Sequence, residues 1–596
     1  METHLPEDPK VRTHSSPILS LSLSFSFMLF STTMASSSVV YAVDPLVSFL
    51  QRLQSDALKT LGPADFDPKL YVDLPLKNDL SATEAAFTKL PRVNGAIPAA
   101  DLERFVEEYF DEAGSDLVHT EPVDFVAEPE GFLPKVENPK VRAWALEVHA
   151  LWRNLSRRVA DEVRRRPERH TLLPLPEMLF IPGSRFREVY YWDSYWVIRG
   201  LLASKMYDSA KAIVHNLVSL LEHYGHVLNG ARTYYSNRSQ PPLLSSMILD
   251  IFMRTNDLAF VKKVYPSLLK EYNFWMSDVH KVIIRDVQGH NHCLNRYQAM
   301  WNKPRPESAI IDEESASKLL TASQKENFYH QLASAAESGW DFSSRWMSNS
   351  SDLTTLATTS IIPVDLNTFL YKMELDIAVF AKLVGDNSTS EKFFKALKAR
   401  QAAIASIFWN SNMEQWLDYR LINRSNCEEV YQWQAHYQNT NIFASNFIPL
   451  WTKAYGSELD TSKRLAGEKI LKSLQRSGLI HAAGIATSLS NTEQQWDFPN
   501  GWAPLQHLIV QGLANCGSKE ARSLAENIAI RWIRTNYAAF RTTGAMHEKY
   551  NVEACGKIGG GGEYKPQTGF GWSNGVVLAF LEEFGWPHDR DIDCQL

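Results

Sequence analysis

Apolar residues recur at three- and four-residue steps along most of the chain beyond residue 139, and this period constrains the fold more than any other feature. From Pro139 to Arg166, the residues Val141, Trp144, Val148, Leu151, Leu155, Val159 and Val163 form one continuous stripe, the signature of a helix with one face in a core. Pro139 suits a first helical position and Pro167 ends the run. Comparable stretches cover Asp208–His223, Pro241–Thr255, Leu258–Trp275, Leu366–Leu383, Ser390–Trp409, Leu465–Ser477 and Ser518–Tyr537. Period-two alternation flanked by hairpin turns is scarce, which argues against an all-β or parallel α/β fold. The helical runs lack a strict repeat length, so the expected fold is all-α, a closed ring of antiparallel helix pairs rather than an open solenoid. In such a ring the loops at one end gather into a pocket.

Composition narrows the function classes. The formal charge of −7 over 596 residues, with no long basic block, speaks against a nucleic-acid partner. Arg157-Arg158 and Arg164-Arg165-Arg166 read as the solvated face of a helix. Seventeen Trp and 22 Tyr serve either a large core or flat walls for a ligand with apolar ring faces, such as a sugar. The cysteines Cys293, Cys427, Cys516, Cys555 and Cys594 are far apart and form no CxxC pair, so neither a zinc ribbon nor a dense disulfide framework is indicated, and the pairing of any one or two disulfides stays open. His290, His292 and Cys293 cluster without a second ligand group at helical or hairpin spacing, so neither a metal nor a cofactor is expected.

The amino terminus reads as targeting. Lys10, Arg12 and His14 precede an apolar, Ser-rich run from Ile18 to Phe30, and Val40-Tyr41-Ala42 has the small-residue character of a signal-peptidase site. Residues 1–44 are therefore expected to be a signal peptide or an uncleaved signal anchor, and either places the remainder outside the cytosol. Sequons at Asn154, Asn237, Asn349, Asn387 and Asn423 fit a glycoprotein on the secretory route, extracellular or anchored at the plasma membrane.

Chemistry concentrates in the loops. Trp192-Asp193, Trp340-Asp341 and Trp496-Asp497 each set an indole beside a carboxyl group. Such a ring can desolvate the acid and raise its pKa, as a general acid needs, or merely pack next to a helix-capping aspartate. Arg185, Arg238 and Arg305 stand in loops too, suited to bracketing hydroxyls or to buttressing loop backbone. Gly559–Gly562 lacks the Lys-Ser/Thr of a phosphate loop and reads as a turn or a lid that would swing Glu563 toward whatever it covers. No Gly-x-Ser-x-Gly elbow or His-Glu-x-x-His segment is present, against serine-hydrolase and zincin chemistry.

Taken together, these loops resemble the trehalase family, glycoside hydrolase family 37. The segments from Pro182 to Tyr195 and from Gln495 to Pro504 carry most of the likeness, joined by Asn229, Arg238-Ser239-Gln240, Arg305-Pro306-Glu307, the stretch from Glu337 to Trp346, Glu548-Lys549-Tyr550 and Gly559–Trp572. The resemblance runs from about residue 45 to the end. It implies a single (α/α)6 catalytic barrel over residues 45–596, and hydrolysis of trehalose with inversion. Asp341 would then be the acid and Glu548 the base, with carboxyl groups roughly 6.5–9.5 Å apart to admit a water. It further implies a sugar-binding set of Arg185, Trp192, Asp193, Asn229, Arg238, Ser239, Gln240, Arg305, Pro306, Glu307, Gly339 and Glu563. Ser184, where the family has glycine, and Asn551, where Asp is common, depart from the pattern without touching a proposed catalytic group. Two other classes compete: an inverting hydrolase of another glucoside, and a sugar-binding protein without activity, against which the presence of both Asp341 and Glu548 counts. A membrane-anchored helical scaffold would leave the polar loop motifs without a purpose.

Overall fold

The computed structural model of the protein describes residues 44–64, 66–422, 430–454 and 461–594, with the main chain alone for residues 461–466. The leader expected over residues 1–44 lies, apart from Asp44, outside the described residues, as do Cys427 and Asn423. Among the described residues no helix is long and apolar enough to cross a membrane.

Twelve helices among the described residues alternate between an outer and an inner ring. The outer ones are α1 (Pro139–Leu155), α3 (Tyr207–Tyr224), α5 (Leu258–Trp275), α7 (Asn387–Ala403), α9 (Thr461–Arg476) and α11 (Lys519–Thr543). The inner ones are α2 (Asp193–Ala203), α4 (Leu244–Thr255), α6 (Val364–Val384), α8 (Pro449–Thr452), α10 (Ala503–Ala514) and α12 (Gly571–Phe584). Each inner helix packs on the next, and α12 returns to α2, so the ring closes as an (α/α)6 barrel. The closing contact is the tightest. A Cβ at Gly575 of α12 would lie 1.9 Å from the Trp196 carbonyl oxygen, and one at Gly200 of α2 would lie 2.6 Å from Gly575 Cα.

Local chemistry sets the helix ends. Asn138 accepts from the Lys140 and Val141 amides at 3.0 and 3.2 Å, capping α1, with Pro139 in the first turn. The helix expected to continue to Arg166 stops at Leu155 instead. Ser156–Val159 turns into a strand that pairs with Leu117–His119 on one side and with Leu179–Phe180 on the other. The apolar stripe survives the change because Ser156 and Val159 still face inward, so the sequence period hides the break. Tertiary pairing overrides helical propensity here.

Before the barrel, helices Pro45–Leu61, Pro68–Val72, Leu80–Thr88 and Ala99–Tyr109 build a smaller apolar cluster that includes Tyr190, Tyr234 and Tyr235 of the barrel loops. A fully buried charge network rivets this layer down. Lys69 Nζ donates to Asp73 at 2.7 Å and to Glu188 at 3.0 Å, and Arg232 Nε donates to Glu188 at 2.7 Å. Burial works to raise the Asp73 carboxyl, but Arg232 and Lys69 outweigh it and hold it below the usual range. Removing one partner from such a network leaves an uncompensated buried charge. Lys69→Met is therefore expected to cost about 3–5 kcal/mol, measured as a fall in the denaturant midpoint of the whole chain; an unmoved midpoint would show that the network adds nothing.

Candidate active site

The amino-terminal ends of α2, α10 and α12 open onto one cavity with an empty volume of about 690 Å³. Asp193 stands in the first turn of α2, Trp502 directly precedes α10, and Phe570 and Trp572 flank the start of α12; all four line the cavity. Free amides and the positive helix ends favour the negative groups collected there.

A column of stacked indoles underlies the site. Trp340 stacks on Trp496 with centroids 5.4 Å apart, and Trp496 stacks on Trp502 at 4.0 Å. The Arg345 guanidinium lies 4.6 Å from Trp340 at one end and the Lys549 ammonium 5.1 Å from Trp502 at the other, a favourable cation–π arrangement at both ends. Asp341 follows the first ring of this column in sequence, and Glu548 precedes Lys549. The strand Lys549–Asn551 pairs with Asn500–Trp502, placing Trp502 opposite Lys549.

The three Trp-Asp pairs play three different parts. Trp192 and Asp193 both line the cavity. In the second pair only Asp341 does, because Trp340 is buried in the column beneath it. In the third pair Trp496 lines the cavity while Asp497 turns away and organises the loop behind Asp341. The Asp497 carboxylate accepts from Ser343 Oγ at 3.0 Å, the Ser344 amide at 2.7 Å, Ser488 Oγ at 2.8 Å and Thr492 Oγ1 at 2.5 Å.

The remaining carboxyl groups divide by environment. Asp341 keeps a side chain 33% accessible from the cavity, with Arg305 Nη1 4.0 Å away. Enclosure by the cavity walls pushes its pKa up to about 7, Arg305 opposing and Glu563 reinforcing the shift. Asp193 is pushed up to about 8 by burial, with Glu548 and Asp341 adding to the rise. Glu548 is held on both oxygens: Tyr564 Oη donates to Oε1 at 2.7 Å and the Gln567 amide to Oε2 at 3.3 Å. Lys549, its neighbour in sequence, donates instead to Gln495 Oε1 at 2.7 Å and the Gly561 carbonyl at 3.2 Å.

Of the expected binding residues, Arg185, Trp192, Asp193, Asn229, Arg238, Gln240, Arg305, Glu307, Gly339 and Glu563 line the cavity. Arg238 is paired with Glu307, and Arg305 bridges Asp312 at 2.6 Å and Glu563 at 2.8 Å. Gln240 accepts from the Trp192 amide at 3.0 Å. Gly339 has φ +74°, and a Cβ there would sit 2.7 Å from the Trp192 ring, so glycine lets that indole lie against the loop. Ser239 and Pro306 do not line the cavity. The Ser239 hydroxyl donates to the Val227 carbonyl at 2.6 Å, and the Pro306 carbonyl accepts from Gln54 at 3.1 Å; both shape their loops from behind. Asn237, one of the sequons, is 2% exposed beside Arg238, to which it offers its side-chain oxygen. Tyr190, Tyr235, Ser308 and Tyr564 also line the cavity. Tyr190 and Tyr564 fall within the segments that carry the family likeness, but none of the four is marked individually, since aromatic and hydroxyl side chains read equally well as core.

The glycine run is pinned. Gly559 and Gly562 donate to the carbonyls of Lys549 and Glu493, both at 3.1 Å, and Asn500 exchanges two bonds with Gly560 at 2.8 and 3.0 Å. A Cβ on Gly561 would meet the Glu493 carbonyl oxygen at 2.4 Å. The segment is a strap laid across the site, with Glu563 already turned onto Arg305.

A family model described as trehalase matches residues 64–585. A probable trehalase of Oryza sativa subsp. japonica is 66% identical over 556 residues, covering 92% of this chain and 98% of that protein. A trehalase of Arabidopsis thaliana is 56% identical over 563 residues, covering 94% and 89%. Among solved structures, the neutral trehalase of Saccharomyces cerevisiae superposes with a TM-score of 0.54 at 26% identity, over 68% of this chain and 73% of that one. With the family pattern spanning nearly the whole barrel, the chain belongs to the trehalase family.

Proposed function

We propose that the protein hydrolyses α,α-trehalose to two glucose molecules with inversion, Asp341 acting as general acid and Glu548 as general base. The observation that carries the reading is the contrast between two carboxyl groups on one cavity. Asp341, pushed up to about 7, retains a proton near neutrality. Glu548 receives two hydrogen bonds on its oxygens. Inverting glycoside hydrolysis needs one protonated carboxyl group at the leaving oxygen and one carboxylate on the opposite face of the ring.

In the reaction Asp341 gives its proton to the oxygen joining the two anomeric carbons as that C–O bond breaks. Glu548 takes a proton from a water whose oxygen bonds to the same carbon from the other side. The leaving glucose keeps its α configuration and the attacked one becomes β. Arg305, 4.0 Å from Asp341, stabilises the carboxylate left behind. Asp193, pushed up to about 8, can present an O–H to a sugar oxygen, while Arg238 and Gln240 offer donors around it and Asn229, whose amide hydrogens go to the Ser239 and Ala336 carbonyls, offers its oxygen as an acceptor. The aromatic walls suit the apolar faces of the two rings.

We also propose that the barrel operates outside the cytosol. The Cys555–Cys594 disulfide supports an oxidising compartment, in keeping with the leader pattern. Full-length, unglycosylated protein confined to a cytosolic fraction would refute this.

Asp341→Asn and Glu548→Gln should each lower kcat by about 10²–10⁴-fold, with circular dichroism unchanged. NMR of the first glucose released should show one α and one β anomer per trehalose; two α anomers, or a fully active Asp341→Asn, would overturn the assignment. The acid must be protonated, so kcat/KM should fall as pH rises through about 7, the value for Asp341. Trehalose should release glucose where maltose, sucrose and cellobiose do not.

A further inference from the structure

The general base is not held by the barrel alone. Tyr564, whose hydroxyl donates to Glu548 Oε1 at 2.7 Å, sits on the strap beyond the glycine run. Its ring lies 4.7 Å beneath the Arg185 guanidinium and meets the edge of Phe186 with centroids 5.5 Å apart. Arg185 in turn is clamped by Asp67: Nε lies 3.1 Å from both carboxylate oxygens and Nη2 lies 2.9 Å from Oδ1. Asp67 belongs to the amino-terminal layer, where it also caps the helix Pro68–Val72 by accepting from the Lys69 amide at 3.0 Å. The next residues of that helix carry the buried Lys69–Asp73 pair that fixes the layer to the barrel. The link from the outer layer to the base is thus continuous in space.

The geometry points to Tyr564 as a positioning residue for Glu548, set in place by Asp67 through Arg185. The phenol is a fitting donor for this task. Burial, followed by the charges of Glu548 and Asp341, pushes it well above its ordinary value, so it stays protonated, while the cation above its ring opposes the rise and strengthens the O–H as a donor. The Gln567 amide takes the second oxygen of Glu548, and the Gln567 side chain accepts from the Arg185 amide at 3.0 Å. Both restraints on the base therefore come from the strap and meet at Arg185. A base hydrogen-bonded on both oxygens is held in one orientation toward water, and a misplacement of about 1 Å can cost on the order of 10²-fold in rate. The Asp67 side chain is 37% exposed and its hydrogen bonds to the site all go to Arg185; it belongs to the amino-terminal layer, outside the motif segments in sequence.

The inference rests on Glu548 being the base, and the test separates the two. Tyr564→Phe keeps the ring under Arg185 and removes only the hydroxyl; kcat for trehalose should fall about 10- to 100-fold with KM within about twofold. Asp67→Asn should lower kcat by about 3- to 10-fold. In the double variant the Asp67 effect should shrink, because the part of it that acts through the Tyr564 hydroxyl is already removed and only the route through Gln567 and the Arg185 position remains. A purely structural contribution from Asp67 would instead add its own loss to that of Tyr564→Phe, and such additivity would overturn the link. Wild-type kcat in Tyr564→Phe, alongside an inactive Glu548→Gln, would overturn the role of Tyr564. A fully active Glu548→Gln would remove the base assignment itself.

Discussion

The column formed by Trp340, Trp496 and Trp502, with Arg345 and Lys549 at its ends, is the element on which the site depends. It joins three separate chain segments, and two of them carry the carboxyl groups proposed as acid and base, as sequence neighbours of column members. Large flat rings buried to within 2% exposure have little freedom to shift. The position of Asp341 relative to Glu548 is thereby set by ring stacking, not by the long chain between them. Arg345 is itself locked at 2.6 Å on Asp365 and 2.7 Å on Asp418, so the column has a fixed foot.

Around this base the barrel concentrates groups that resist being together. Asp193, Asp341, Glu307, Glu548 and Glu563 share one cavity with three arginines. Charges are costly to bury unless paired, and two distinct solutions appear. Glu307 and Glu563 are neutralised by Arg238 and Arg305. Asp193 and Asp341 have no such close partner and respond by holding protons more tightly. The groups left in an unfavourable state are those to which the proposed chemistry assigns work, in line with the general trade between stability and activity at functional sites.

The amino-terminal layer takes part in this arrangement. Its charge network with Glu188 and Arg232 fixes the loops carrying Arg185 and Arg238, and Asp67 reaches Arg185 directly. The strap forms an adjoining wall, with Tyr564 under Arg185, and is held by Asn500, Lys549 and Glu493. The cavity is therefore walled by segments far apart in sequence, and Gly559–Gly562, which the composition reads as a turn or a lid, lies across the site hydrogen-bonded to Lys549, Glu493 and Asn500.

The outer helices were legible in the sequence because each buries one face and exposes the other, which writes a period of 3.6 residues into the chain. Leu258–Trp275 is legible to the residue and Asp208–His223 to within one at each end, while Ser518–Tyr537 stops short of the helix end at Thr543. The inner helices Asp193–Ala203, Ala503–Ala514 and Gly571–Phe584 escaped, since a helix surrounded by others is buried nearly all round and carries no stripe. The site divides in the same way. The motif loops named most of the cavity residues, because polar and aromatic side chains packed that densely into loops have few structural uses. Which of them face the cavity was decided only by the fold. Asp341 and Asp497 follow tryptophans in the same manner, yet one opens to the cavity and the other binds the Ser343 and Ser344 loop. Ser239 and Pro306 sit among binding residues and point elsewhere. Asp67 has no local mark at all, and Tyr564 stands inside a motif segment without a mark of its own. A sequence states which groups are available, but the direction of a side chain from a loop depends on the packing of distant segments against it, and that exists only once the ring has closed.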